Sequence, residues 1–110
     1  MIQLTAKYYR KHFFGGTIYC EDNLTLSKND IRLKEHINRA LKKVTSEDFT
    51  LQIVKYGDLQ TLIIYKEYTD RTEDNDIIQV RHYTQSNSYD DMKISIKAAK
   101  KYIKDFIQEV

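Results

Sequence analysis

This chain of 110 residues has no proline and no tryptophan, only three glycines and a single cysteine. Each scarcity excludes something. Gly15, Gly16 and Gly57 are too few and too scattered for a phosphate-cradling loop, which needs several flexible backbone positions in succession. The lone Cys20 forbids an internal disulfide and fits a reducing compartment. His12, His36 and His82 show neither His-x-x-x-His nor Cys-x-x-Cys spacing, so no metal site is expected. No apolar run approaches the roughly 20 residues that cross a bilayer, and the N-terminus lacks the continuous apolar stretch of a signal peptide. The expected location is therefore the cytoplasm, with no membrane partner. A formal net charge of only +2 projects no global field, so any polyanion binding must rest on local patches.

What is present suits one small domain. With 41% hydrophobic and 31% charged residues, the chain can form a core and a solvated surface, yet is too short for two cores. We therefore expect a single α+β domain over residues 1–110. Ile, Lys, Asn, Asp and nine tyrosines dominate the rest. That bias accompanies AT-rich coding and suggests a low-GC bacterium or one of its phages.

Periodicity places the elements. From Ile2 to Tyr9 the chain alternates, with Ile2, Leu4, Ala6 and Tyr8 on one side, as in a half-buried strand. Thr17–Cys20 resumes after the glycines, Glu21-Asp22-Asn23 reads as a turn, and Leu24 and Leu26 as a short extended piece. Ser27 offers an N-cap for a helix over 28–44, whose stripe is Leu33, Ile37, Ala40, Leu41 and Val44. Phe49–Tyr56 and Leu59–Tyr68 flank Gly57-Asp58, which reads as a type II′ hairpin turn. Its register pairs Ile53 with Leu62 and Leu51 with Ile64. One face then carries Phe49, Leu51, Ile53, Leu62 and Ile64. The other carries Thr50, Gln52, Val54, Tyr56, Thr61, Ile63 and Tyr65. Asp70–Asp76, with four carboxylates, and Gln85–Ser88 read as loops around a strand over 77–84. Met92-Lys93-Ile94 fits either an extended piece or a first helical turn. A final helix from Ser95 shows the stripe Ile96, Ala99, Ile103, Phe106/Ile107 and Val110.

The expected fold is two-layer: an antiparallel sheet, made of a three-stranded meander plus an N-terminal strand or hairpin, with two amphipathic helices on one face. The opposite face is either open or covered by the N-terminal segment. No catalytic constellation emerges, and Cys20 in a strand reads as an ordinary structural thiol. No enzyme activity and no cofactor are expected.

Two surfaces remain as candidates. Tyr56, Tyr65, Arg81 and Tyr83 on the outer sheet face are residue types enriched at protein–protein hot spots. Basic stripes run along the first helix (Arg32, His36, Arg39, Lys43) and near the second (Lys93, Lys97, Lys100, Lys101, Lys104). The N-terminal run Lys7-Tyr8-Tyr9-Arg10-Lys11-His12-Phe13-Phe14 mixes cations with aromatics. A nucleic-acid alternative would use Lys7, Arg10, Lys11, Arg32, Arg39, Lys97 and Lys101.

Over residues 27–110, the helix–meander–helix order and the segment Ser95-Ile96-Lys97-Ala98-Ala99-Lys100-Lys101 resemble double-stranded-RNA-binding domains. The tight Gly57-Asp58 turn departs from that family's long motif-bearing loop, and no RNA-binding residue carries over. In style, a small, proline-free, tyrosine- and lysine-rich chain is similar to phage and mobile-element accessory proteins, anti-CRISPR inhibitors among them. The expectation is a non-enzymatic protein-binding module that inhibits a host defence or nucleic-acid-handling protein.

Overall fold

The computed structural model describes residues 1–46, 48–57, 59–67, 77–84 and 89–108, the last without the side chains of 89 and 90. The elements run β1 (Ile2–Lys11), β2 (Thr17–Leu26), α1 (Ile31–Val44), β3 (Phe49–Lys55), β4 (Gln60–Tyr65), β5 (Ile77–Tyr83), β6 (Tyr89–Ser95) and α2 (Ile96–Gln108). All six strands form one antiparallel sheet in the order β2-β1-β3-β4-β5-β6. The class is α+β, as the alternating and helical periods predict. Among the described residues no helix is long and apolar enough to cross a membrane.

The strand faces follow from the pairing. Ile2, Leu4, Ala6 and Tyr8 of β1 stand opposite Lys55, Ile53, Leu51 and Phe49 of β3. Leu51 and Ile53 stand opposite Ile64 and Leu62, and these opposite Val80 and His82. Cross-strand partners point to the same side, so one face is apolar across four central strands. Leu33, Ile37, Ala40, Leu41 and Val44 of α1, with Ala99, Ile103, Phe106 and Ile107 of α2, belong to the same buried cluster as Leu51, Ile53, Leu62, Ile64 and Val80. Val54, which points the other way, is outside it.

The sequence left open whether the N-terminal residues cover the outer face; they do not, and β1 inserts between β2 and β3 as an inner strand of the N-terminal hairpin. Three details differ from the sequence reading. The Glu21-Asp22-Asn23 turn is instead the middle of a continuous β2. Asn23 accepts a hydrogen bond from Thr5 (2.7 Å), and Asp22 accepts one from Tyr8 (2.8 Å). An edge strand tolerates such charges because one flank meets water. The first helix begins three residues later than expected. Asp30, not Ser27, is the N-cap, its carboxylate accepting from the Arg32 amide at 2.9 Å, while Ser27 Oγ accepts from Asn29 N in a separate local turn. The meander has four strands, not three, because Met92-Lys93-Ile94 lies in β6 opposite Val80, Gln79 and Ile78.

The predicted β3–β4 register holds, but the last paired residues are Lys55 and Gln60. Gly57 has φ 103° and Leu59 φ 46°, so the connection is wider than a two-residue turn. Asp58, the acidic loop 70–76, the loop 85–88 and Val110 lie outside the described residues.

Candidate functional site

Arg81 organises the outer sheet face. It sits mid-strand on β5, opposite Ile63 on one side and Asp91 on the other. Its guanidinium forks onto Asp91, with Nε 3.0 Å from Oδ1 and Nη2 2.9 Å from Oδ2. The same group donates to the Tyr65 hydroxyl at 3.2 Å and the Tyr83 hydroxyl at 3.4 Å, and lies 5.6 Å from the Tyr65 ring centroid. Alternation on neighbouring strands makes this meeting unavoidable: Tyr65, Arg81, Tyr83 and Asp91 all occupy positions of one face. The arrangement spreads charge across the face yet keeps it fixed. Burial pushes the Tyr65 phenol upward, the fork holds Asp91 below the usual carboxylate range, and Arg81 is raised by Asp91 and then Tyr83.

Tyr56 shares that face but not the cluster. It stands beside the β3–β4 connection, where its hydroxyl donates to Gln3 Oε1 at 2.7 Å and its amide to the Met1 carbonyl at 3.2 Å. Tyr65 lies five residues along β4 from Gln60, about 17 Å away at the antiparallel rise. Three of the four tyrosine-face candidates therefore form one constellation, and the fourth is tied instead to Met1 and Gln3 on the β1 side.

The basic candidates separate. Lys7 and Lys11 occupy the outer-face positions of β1, paired with Glu21 and Thr17, while Arg10 points to the other side. Arg32 is forked onto its helix cap Asp30, at 3.1 and 2.8 Å. That pairing lowers Asp30 to about 2. Arg39, with His36 and Lys43, lines a hollow of about 490 Å³ beside Tyr8 and Phe49. Lys101 lines a different groove of about 840 Å³ between the helices, with Lys28, Lys34, Lys100 and Lys104 around Leu33, Ile37, Ile103 and Ile107. Lys97 is exposed on α2, and Lys93 belongs to β6 rather than to the helix. Arg39 and Lys101 thus line different concavities, while Lys34 of α1 joins the α2 lysines in the second.

Two inward polar residues escaped the sequence reading. Lys55 is buried, donating from Nζ to the Phe106 carbonyl at 2.9 Å and lying 4.6 Å from that residue's ring centroid. His82 bonds Gln60 Oε1 at 2.9 Å and the Tyr102 hydroxyl at 3.4 Å, with its ring edge-on to Phe106 at 5.4 Å. The signal was available: alternation from Ile53 and Val80 puts both on the apolar face. Their contacts run to α2, which marks them as docking residues. Cys20 is partly exposed, its thiol 3.8 Å from the Ile18 carbonyl. The three histidines lie on the β1–β2 connection, α1 and β5. Among the described residues, no three His, Cys, Asp or Glu side chains converge as metal ligands would.

β6 also separates this chain from the element order of the double-stranded-RNA-binding domains, since a fourth meander strand precedes α2. In comparisons with known proteins, no family model, no curated protein and no solved structure matches the chain.

Proposed function

We propose that the protein is a non-enzymatic protein-binding module. It works in the cytoplasm, that of the host if the chain is phage-encoded, as an inhibitor of a host defence or nucleic-acid-handling protein. The observation that carries this reading is the Tyr65–Arg81–Tyr83 cluster, an aromatic pair held around one guanidinium on the face turned away from the core. It implies a two-layer arrangement in which both helices cover one side of the sheet and leave the other to a partner. An antiparallel sheet tolerates that asymmetry. Residues already fixed by the Asp91 fork lose little further rotamer freedom on binding, and this is what makes a rigid aromatic–arginine patch a good anchor. Of the helix residues in the nucleic-acid reading, Arg32 is forked onto its own helix cap and Arg39 and Lys101 line different concavities, which favours the sheet face over a nucleic-acid surface on the helices.

The test is affinity capture from lysate of a low-GC bacterium, run in parallel with wild type and a Tyr65→Ala/Arg81→Ala/Tyr83→Ala variant. A protein retained at physiological salt by wild type, and lost by the variant while the variant stays folded, supports the reading. Retention that ignores these three substitutions, or capture of nucleic acid alone, ends it.

A further inference from the structure

Among the described residues the most exposed large apolar side chains are Phe13 and Phe14, at 92% and 87% exposure, on the β1–β2 hairpin tip. The hairpin outruns the sheet. β3 pairs with β1 only from Ile2 to Tyr8, whereas β1 and β2 stay paired to Lys11–Thr17. The tip is tightly closed: His12 N donates to the Gly16 carbonyl at 3.0 Å, and Gly15 N to the His12 carbonyl at 3.1 Å. Gly15 and Gly16 have φ of 95° and 79°, a left-handed pair that only glycine adopts without strain. The two phenylalanine rings stand edge to face, 5.2 Å apart at 89°, presenting two differently oriented π surfaces to solvent. Below them Tyr9 and Tyr19, both about half exposed, face each other across the ribbon at 5.5 Å between Lys7 and Lys11. Residues 7–20 carry Lys7, Arg10 and Lys11 and no carboxylate; Glu21 stands opposite Lys7 at the arm's base.

We propose that this arm binds single-stranded nucleic acid, with bases stacking on Phe13, Phe14 and the Tyr9–Tyr19 pair while Arg10 and Lys11 neutralise phosphates. Aromatic faces interleaved with unopposed cations fit an unpaired strand, which offers both stackable bases and regularly spaced anions. Arg10 and Lys11 point to opposite sides of the ribbon, so a strand crossing the tip meets a cation on either side. The arm, on β1 and β2, is separate from the Tyr65–Arg81–Tyr83 cluster on β4 and β5 and does not depend on it.

Fluorescence anisotropy of a labelled oligothymidylate, titrated with salt, tests the proposal. Two unopposed cations predict a slope of log K against log salt of about −1.4, falling to about −0.7 when either Arg10→Gln or Lys11→Gln is introduced. Phe13→Ala and Phe14→Ala should each weaken binding roughly 5- to 160-fold, the worth of one stacked base. Thermal melts check that the variants stay folded. Binding that ignores salt, or phenylalanine variants that bind like wild type, overturns the proposal. So does Phe-dependent retention on phosphatidylserine vesicles with no oligonucleotide binding.

Discussion

Replacing Lys55 by methionine probes how α2 is held. The ammonium is buried and donates at 2.9 Å to Phe106, whose carbonyl lies in the last turn of α2. Helix-end carbonyls have no intrahelical donor and carry the negative end of the macrodipole, so a cation there is doubly favoured. Against this stands the cost of removing an ammonium from water, several kcal/mol per ion. Measured contributions of hydrogen bonds to charged groups already include that desolvation, and they amount to about 1.5–3 kcal/mol. The π face of Phe106 acts on the same ammonium and is not counted twice. Lys55→Met keeps most of the stem's packing and removes the donor, so it should destabilise by about 1.5–3 kcal/mol. For a domain of this size that lowers Tm by roughly 6 °C or more. Lys55→Ala also removes three further methylenes from the interior and should cost about 2.4 kcal/mol beyond the methionine variant. Urea unfolding measures both, as a lower midpoint with an unchanged slope. A methionine variant as stable as wild type, or more so, would refute the reasoning. The ammonium would then be a burden that burial imposes, not a clamp on the helix.

Three further outcomes follow from the same contacts. Ser95→Ala removes the side-chain oxygen that accepts the Ala98 amide at 3.1 Å, and should cost about 0.5–2 kcal/mol in urea unfolding, with Ser95→Asp restoring most of it. Asp91 and Asp30 have depressed folded values, so what they contribute is complete above the ordinary carboxylate range and is lost as pH falls through those values, for Asp30 from 3.8 towards about 2. Acid titrations of stability should therefore be shallower below that range in an Asp30→Asn/Asp91→Asn variant than in wild type; identical curves would show that the two ion pairs add nothing. Phe13→Ala and Phe14→Ala should shift stability by no more than about 0.5 kcal/mol, because nearly fully exposed rings lose almost no packing, and a larger drop in the thermal melt would mean the tip packs on something.

How much could be read beforehand depended on whether a signal was local. Alternation in Ile2–Tyr8 and Phe49–Tyr65 determined which side chains face the core, because the strand period is two and a slip would have turned every apolar residue to water. The 3.6-residue stripes determined both helices and all their buried residues within the described range. Capping was less legible: Ser27 and Asp30 are both good caps three residues apart, and only the Arg32 guanidinium beside Asp30 made that carboxylate the anchor. β2 was legible only in two pieces, and β6 only as one of two readings, for a related reason. Glu21-Asp22-Asn23 looks like a turn on its own and Met92-Lys93-Ile94 is too short to show a period, but an edge strand needs only one pairing flank, and β1 and β5 supply it.

The outer face shows the same division. That Tyr56, Tyr65, Arg81 and Tyr83 share a side follows from the sequence, since each alternates with core residues. Their grouping does not. It required β4, β5 and β6 to lie side by side, so that Arg81 could reach Tyr65 across one strand and Asp91 across the other. Pairing between strands distant in sequence is set by the tertiary fold, and no local period carries it. It also decided that Lys34 meets Lys100, Lys101 and Lys104 in one groove while Arg39 and Lys43 line another, and that a run of cations and aromatics became a projecting arm.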